Sequence, residues 1–230
     1  MRREREAERV AEFGGIVVAG FVAAVLVLYA FGWLADEVLE QQTATLDSAT
    51  GQLLQRFSSA PLTLAAQAIS LMGSQVVLVA TVLLLALFAW QRRWTAALML
   101  VLVIGGAQLL NDLFKEVFQR ARPTPVSGFL DAQQFSFPSG HAMVSAAFYF
   151  YVAYLTWELV HGWWRAALVI GLVVLVLLIG VSRVYLEVHY LSDVLAGYLA
   201  GFVWTDAVII GSQVLSLRSR QRLSPRKVNW

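Results

Sequence analysis

Cysteine is absent from the 230 residues, and charged side chains make up only 14% of them. The first absence removes disulfides and thiolate metal sites and leaves the redox compartment open. The second, set beside 59% hydrophobic residues, argues against a soluble domain of this length. Histidine is scarce too, with three in the chain, and neither a CxxC nor an HExxH pattern occurs. A soluble metalloenzyme or zinc module is therefore a poor reading, and a membrane protein is the natural one.

What is there is apolar sequence in long runs. A helix needs about 20 apolar residues to span the hydrocarbon core, and six runs qualify: Phe13–Leu34, Gln75–Trp90, Trp94–Leu110, Ala142–Val160, Trp164–Val181 and Val194–Leu215. The fold class expected is all-α, a polytopic six-helix bundle forming one membrane-embedded domain over residues 1–230. Between the first two spans, Ala35–Ser74 reads as an extracytoplasmic excursion of one or two amphipathic helices, because Thr63–Met72 is too short to cross. The leading MRREREAERVAEF mixes acids with arginines and feeds a run too long for a secretory signal, so residues 1–12 are expected to stay cytoplasmic and uncleaved.

Charge placement orients the bundle. With both termini cytoplasmic, the inner side collects Arg2, Arg3, Arg5, Arg9, Arg92, Arg93, Arg165 and the basic tail at 216–230, leaving Arg56, Lys115, Arg120, Arg122 and Arg183 outside. Trp90, Trp94, Trp163 and Trp164 fall at inner helix ends, as an interfacial belt should. The tail is read as a lipid anchor and not as a nucleic-acid contact. Localisation in the cell membrane, with the chemistry on the extracytoplasmic side, follows.

Three polar segments lie at outer helix ends: KEVFQRARP with Lys115 and Arg122, PSGH with Ser139, Gly140 and His141, and SRVYLEVHYLSD with Arg183, His189 and Asp193. A bundle can gather all three at one depth. Ionisable groups in a membrane segment are costly and need a reason to be there. Two arginine forks and a lysine suit a phosphate. The first N–H groups of the helix opened by PSGH add a favourable dipole, with Gly140 allowing close approach. His189 and Asp193 are four apart, so on a helix they share a face and the carboxylate can orient the imidazole. An oriented neutral imidazole is a competent nucleophile toward phosphorus, and His141 beside the same phosphate can protonate the departing oxygen. No metal is required, since the cations and the helix start already neutralise the phosphoryl oxygens. Blander readings stand beside these: Ser139 as an ordinary helix cap, Asp193 as the cap of the last helix, Arg120 as a solvated loop charge or headgroup contact, Ser182 as a support for the turn, and Asp206 as a buried hydrogen-bonding group. Phe135 and Phe137 fit either an acyl entrance or loop packing.

The three segments match, in order and spacing, K-x6-R-P, P-S-G-H and S-R-x5-H-x3-D, and in this the chain resembles the type 2 phosphatidic acid phosphatase superfamily. The motifs cover Lys115 to Asp193, with no departure at a motif position. The resemblance implies an integral-membrane lipid phosphatase without cofactors. In it His189 forms a phosphohistidine partnered by Asp193, and His141 protonates the leaving group. Lys115, Arg122, Ser139, Gly140 and Arg183 hold the phosphate, and water releases it. Substrates implied are phosphatidic acid, phosphatidylglycerophosphate or polyprenyl pyrophosphates, reached sideways from the bilayer, with vanadate as a competitive inhibitor. A lipid phosphotransferase and a non-enzymatic lipid transporter are the alternatives. Selection among headgroups is expected to lie in Thr124–Gln134 and Ala35–Ser74.

Overall fold

The computed structural model describes residues 2–123 and 135–223. Thr124–Gln134 and the end of the basic tail, residues 224–230, lie outside it. Eight helices make up the described residues: α1 (Arg2–Leu39), α2 (Ala44–Gln55), α3 (Ala60–Met72), α4 (Gln75–Trp90), α5 (Trp94–Phe118), α6 (Gly140–Leu159), α7 (Trp163–Tyr185) and α8 (Leu191–Leu223). Extended pairing among these residues is confined to one antiparallel bridge, Ala121 to Phe135.

Among the described residues, five stretches are long and apolar enough to cross a membrane: Val18–Leu39, Ala60–Trp90, Trp94–Phe118, Trp163–Tyr185 and Leu191–Leu215. Two differences from the sequence reading stand out. The first apolar stretch runs on to Leu39, past Ala35, where the excursion was expected to begin. Likewise α3 joins α4 in a single apolar stretch of 31 residues, broken only at Gly73 and Ser74; Thr63–Met72 is too short alone, but its apolar run continues. Only α2 retains the amphipathic, connecting character expected of the whole segment.

The remaining expected span, α6, is not among the five. It lies at the centre, packed by α5, α7 and α8, and buries Ala142, Ala146, Ala147, Tyr149 and Tyr151. A helix wrapped by protein is selected for packing rather than for apolarity toward lipid, so tyrosines and small residues replace leucine and valine. Each tyrosine ties its hydroxyl to a neighbouring carbonyl: Tyr149 donates to Met72 O at 2.8 Å and Tyr151 to Ala96 O at 3.1 Å. On the outward face, Trp90, Trp94, Trp163 and Trp164 are exposed, in keeping with an interfacial belt.

The α6–α8 contact sets the geometry of the site. A Cβ on Gly197 would stand 2.7 Å from the carbonyl oxygen of Ser139, and one on Gly201 would collide with that of Met143. Glycines four apart therefore let the α8 backbone lie directly on α6, the close approach that small residues permit in membranes. Trp204 crosses from α8 to α5, donating to Leu102 O at 2.9 Å.

The ends of α5 and α6 are stitched together. Gln119 closes α5 in the left-handed conformation, φ 44°, with its N–H returning to Lys115 O at 2.9 Å. The chain then extends. Ser136 N–H donates to Arg120 O at 2.8 Å, and its hydroxyl to Arg120 O and Ala121 O. Phe137 is fully buried against Phe118, ring centroids 4.8 Å apart, and near Phe31; it packs the loop onto α1 and α5 and does not line an entrance. KEVFQRARP is thereby held beside PSGH.

Candidate active site

His189 sits in the turn between α7 and α8. Glu187 takes a left-handed conformation, φ 55°, and Val188 N–H returns to Arg183 O, which ends α7 and turns the chain back into the bundle. His189 is 2% exposed. Its Nδ1 faces Asp193 Oδ2 at 3.5 Å, four residues on, and its Nε2 faces Nη1 of Arg122 at 3.5 Å. Arg122 is held in place by donating to Val188 O at 2.9 Å. The predicted pairing of His189 with Asp193 is therefore present, with one predicted cation on the imidazole's other side.

Asp193 is not the cap residue of α8. It stands three residues beyond Tyr190 and accepts from Tyr190 N–H at 2.9 Å, the backward half of a capping box. Its other oxygen is taken by Arg120, whose Nη1 lies 2.6 Å away. Arg120 also reaches Asp47 Oδ2 at 2.8 Å and Ser192 Oγ at 2.7 Å, and its guanidinium lies 4.2 Å from the Tyr190 ring centroid. Its reading as a solvated loop charge or headgroup contact is thus corrected. Asp47, on α2, is 3% exposed and accepts from both Ser192 N–H and Ser192 Oγ.

The PSGH segment abuts the same network. Ser139 N–H donates to Asp193 O at 3.0 Å, while Ser139 Oγ caps α6 by accepting from Ala142 N–H at 3.4 Å. Gly140 is required where it stands, because a Cβ there would lie 2.9 Å from Asn111 Oδ1. Asn111 Nδ2 donates to Pro138 O at 3.2 Å. Lys115, one turn beyond Asn111 on α5, is buried, so the two share the face turned to PSGH. Arg183 is buried in the last turn of α7 and donates to Ser70 Oγ of α3 at 2.8 Å. Ser182 Oγ bonds back to Ile179 O inside the helix, while its carbonyl accepts from Leu186 N–H at 2.9 Å where α7 ends, in keeping with a support for the turn.

The two histidines open onto different cavities. His189 lines one of about 370 Å³ beneath α2, with Asp47, Gln52, Gln55, Pro123 and Tyr190. His141 lines one of about 620 Å³ between α4 and α5, whose walls include Val77, Leu78, Ile104, Gln108 and Asn111. Burial pushes the His189 imidazole down to about 4; Asp193 opposes this, and the positive charges of Arg183 and Arg122 reinforce it. The ring is neutral at physiological pH, and the carboxylate facing Nδ1 sets the proton there, leaving the Nε2 lone pair toward Arg122. Asp206, deep in α8, faces Gly20 of α1, but its Oδ2 has no hydrogen-bond partner among the described residues.

Residues 96–214 match the family described as the PAP2 superfamily. The chain belongs to that superfamily. Among PAP2 relatives it is 36% identical to phosphatidylglycerophosphatase B of Bacillus subtilis over 119 residues, 51% of this chain and 58% of that protein. The match thus spans little more than half of that relative. A protein of Escherichia coli named as an undecaprenyl-diphosphatase, YbjG, is 37% identical over 155 residues, 64% of this chain and 74% of that one. The fold is similar to the crystal structure of a transmembrane PAP2-type phosphatidylglycerolphosphate phosphatase from Bacillus subtilis, with a TM-score of 0.71 and 28% identity across 89% of this chain and 98% of that one. LpxE of Aquifex aeolicus shares the fold, with a TM-score of 0.50 at 24% identity, over 75% of this chain and 95% of that one.

Within this PAP2 chain, sequence reasoning missed Asp47, Ser70, Asn111 and Ser192. Asp47, Ser70 and Asn111 lie outside the three segments, on α2, α3 and α5, and meet them only through the tertiary fold, while Ser192 fills a variable position of the third segment, next to Asp193. Arg120 was visible as an extra cation two positions before Arg122. Only its buried partners reveal its use.

Proposed function

We propose that this protein is a lipid phosphate phosphatase that works through a covalent phosphohistidine on His189. The observation that carries this is the buried imidazole of His189, with Asp193 behind Nδ1 and Arg122 before Nε2. In the reaction, Nε2 attacks the terminal phosphorus and the bond from phosphorus to the leaving oxygen breaks. We assign the proton for that oxygen to His141, whose ring has to turn from its own cavity toward that of His189 to deliver it. The imidazolium that develops is balanced by Asp193, and Lys115, Arg122, Arg183 and the N–H groups that follow Ser139 and Gly140 hold the phosphoryl oxygens. His141, now neutral, takes a proton from water, whose oxygen attacks phosphorus and breaks the N–P bond. Phosphate and free enzyme result, with every proton accounted for and no metal step.

The substrate we favour is phosphatidylglycerophosphate or a polyprenyl diphosphate, with phosphatidic acid as a third candidate. The apolar part of the cavity at His141, formed by Val77, Leu78, Ile104 and Val144, supports a substrate with a hydrocarbon chain. We place the site at the extracytoplasmic face of the cell membrane, with both termini cytoplasmic and α6 as the sixth crossing. The positive-inside distribution supports this orientation. So does the alternation of α5 to α8, in which Lys115, Ser139, Arg183 and Asp193 all fall at one end.

The test is phosphate release from a panel of lipid phosphates by purified protein in detergent with chelator. Release by the wild type and its loss in His189→Ala is the expected result. Release only upon addition of a lipid or sugar acceptor would identify a phosphotransferase instead. Activity abolished by chelation would contradict the metal-free route.

A further inference from the structure

Arg120 lies outside the phosphate-binding pattern, and both terminal nitrogens of its guanidinium are engaged by protein. One nitrogen bonds Asp193 Oδ1 at 2.6 Å and Ser192 Oγ at 2.7 Å; the other bonds Asp47 Oδ2 at 2.8 Å. Asp47 and Asp193 are almost wholly buried, and Arg120 is 17% exposed. Asp47 in turn accepts from Ser192 N–H and Ser192 Oγ. It comes from α2, a connecting helix remote in sequence from the motifs.

From this geometry we propose that Arg120 and Asp47 are positioning residues of the reaction. Asp47 fixes Arg120 across Asp193, so that one Asp193 oxygen is committed to Arg120 and the other stays aimed at Nδ1 of His189. A carboxylate with only its Tyr190 N–H contact can rotate about its Cβ–Cγ bond. Once clamped on the far oxygen by a planar, permanently charged fork, it cannot do so without breaking a charge-assisted bond. Arg120 also shields the two carboxylates from each other, since without it two buried anions would share one neighbourhood. Through this relay α2 contributes to the orientation of the nucleophile.

A purely structural role for the network is the competing explanation, because Asp47 and Asp193 also satisfy N–H groups at the start of α8. The two differ in what they predict for kinetics. A clamp acting through Asp193 changes the rate of attack and leaves phosphate binding alone. A cap changes only stability.

The inference rests on the phosphatase reading, and the experiment separates the two. Wild type, His189→Ala, Asp47→Asn, Arg120→Lys, Arg120→Ala and the Arg120→Ala/Asp47→Asn double variant are purified as full chains in detergent. For each, kcat, KM for a lipid phosphate, the inhibition constant of orthovanadate and the melting temperature are measured. Asp47→Asn keeps the side-chain shape, and Arg120→Lys keeps the charge without the fork. Both are expected to lose about 10–100-fold in kcat, the usual effect of removing an outer hydrogen-bonding partner, with KM and the orthovanadate constant changed less than about two-fold. The double variant should lose no more than Arg120→Ala alone, because both act through one clamp. Wild-type kcat in Asp47→Asn and Arg120→Lys would overturn the proposal. So would loss of orthovanadate binding in step with the melting temperature, which would assign the network to stability. If the wild type itself releases no phosphate, the phosphatase reading fails. An active wild type, an inactive His189→Ala and a fully active Asp47→Asn would sink the clamp alone.

Discussion

At the scale of single residues, His189 is almost wholly buried, with Asp193 facing one ring nitrogen and Arg122 the other. That burial takes its conjugate acid from an ordinary 6.5 to about 4, which has two measurable consequences. On its acid side, single-turnover formation of the covalent intermediate should fall only as pH approaches about 4, where His189 becomes protonated. A loss centred near the ordinary histidine value would contradict this. The second consequence concerns folding. The folded value is below the unfolded one, so the stability associated with a neutral His189 is complete above the unfolded value and is lost as pH falls through the folded one. The loss is about 3 kcal/mol in all. Thermal unfolding of His189→Gln should show a correspondingly flatter decline between about pH 6.5 and about pH 4.

The residues proposed for the chemistry stood out in the chain because phosphate chemistry demands particular residue types at fixed spacings. Lys115, Arg122, Ser139, Gly140, Arg183, His189 and Asp193 all fall at one end of the bundle. The residues that hold them were not legible. Ser70 donates nothing to a motif but accepts from Arg183, Asn111 fixes the carbonyl of Pro138, and Asp47 reaches Arg120 across 73 positions. Such partnerships depend on which helices touch, and hydropathy does not encode that. Arg120 was misread for the same reason: an arginine beside an aqueous loop looks solvated until its buried carboxylates are located.

At the scale of elements, the contact between α6 and α8 decides whether the three motifs meet. Gly197 lies against the carbonyl of Ser139, whose N–H in turn holds Asp193 O. Replacing Gly197 with leucine should force the helices apart and move PSGH away from Asp193. The expected cost is about 1–3 kcal/mol or more in stability, together with loss of most activity. Melting temperature and kcat measured side by side check this. Wild-type values for both would mean that the close approach does not govern the site. The helices themselves were largely foreseeable from apolar runs, but their boundaries shifted in a consistent direction. α5, α7 and α8 extend past the apolar runs to carry Lys115, Arg183 and Asp193 within helical turns. Hydropathy ends a helix where polarity begins, whereas here the polar residues are helical because the site they build is buried. α6 shows the converse, a central helix whose tyrosines and small residues make it less apolar than the helices facing lipid.

At the scale of the whole molecule, orientation is testable because the chain has no cysteine. Ser48 on α2 and Arg92 between α4 and α5 are both exposed. With the site outside, Ser48→Cys should react with a membrane-impermeant maleimide in intact cells, and Arg92→Cys only after permeabilisation. The opposite pattern would invert the topology and place the proposed site in the cytoplasm.

The covalent step is the centre of the account, and rapid-quench peptide mapping tests it most directly. Purified protein is mixed with a lipid phosphate, denatured in base to preserve a phosphoramidate, digested and analysed by mass spectrometry. The phosphoryl group is expected on the peptide containing His189 and nowhere else, with none in His189→Ala. Sustained phosphate release by His189→Ala, or a phosphoryl group found on His141, would contradict the assignment of the nucleophile.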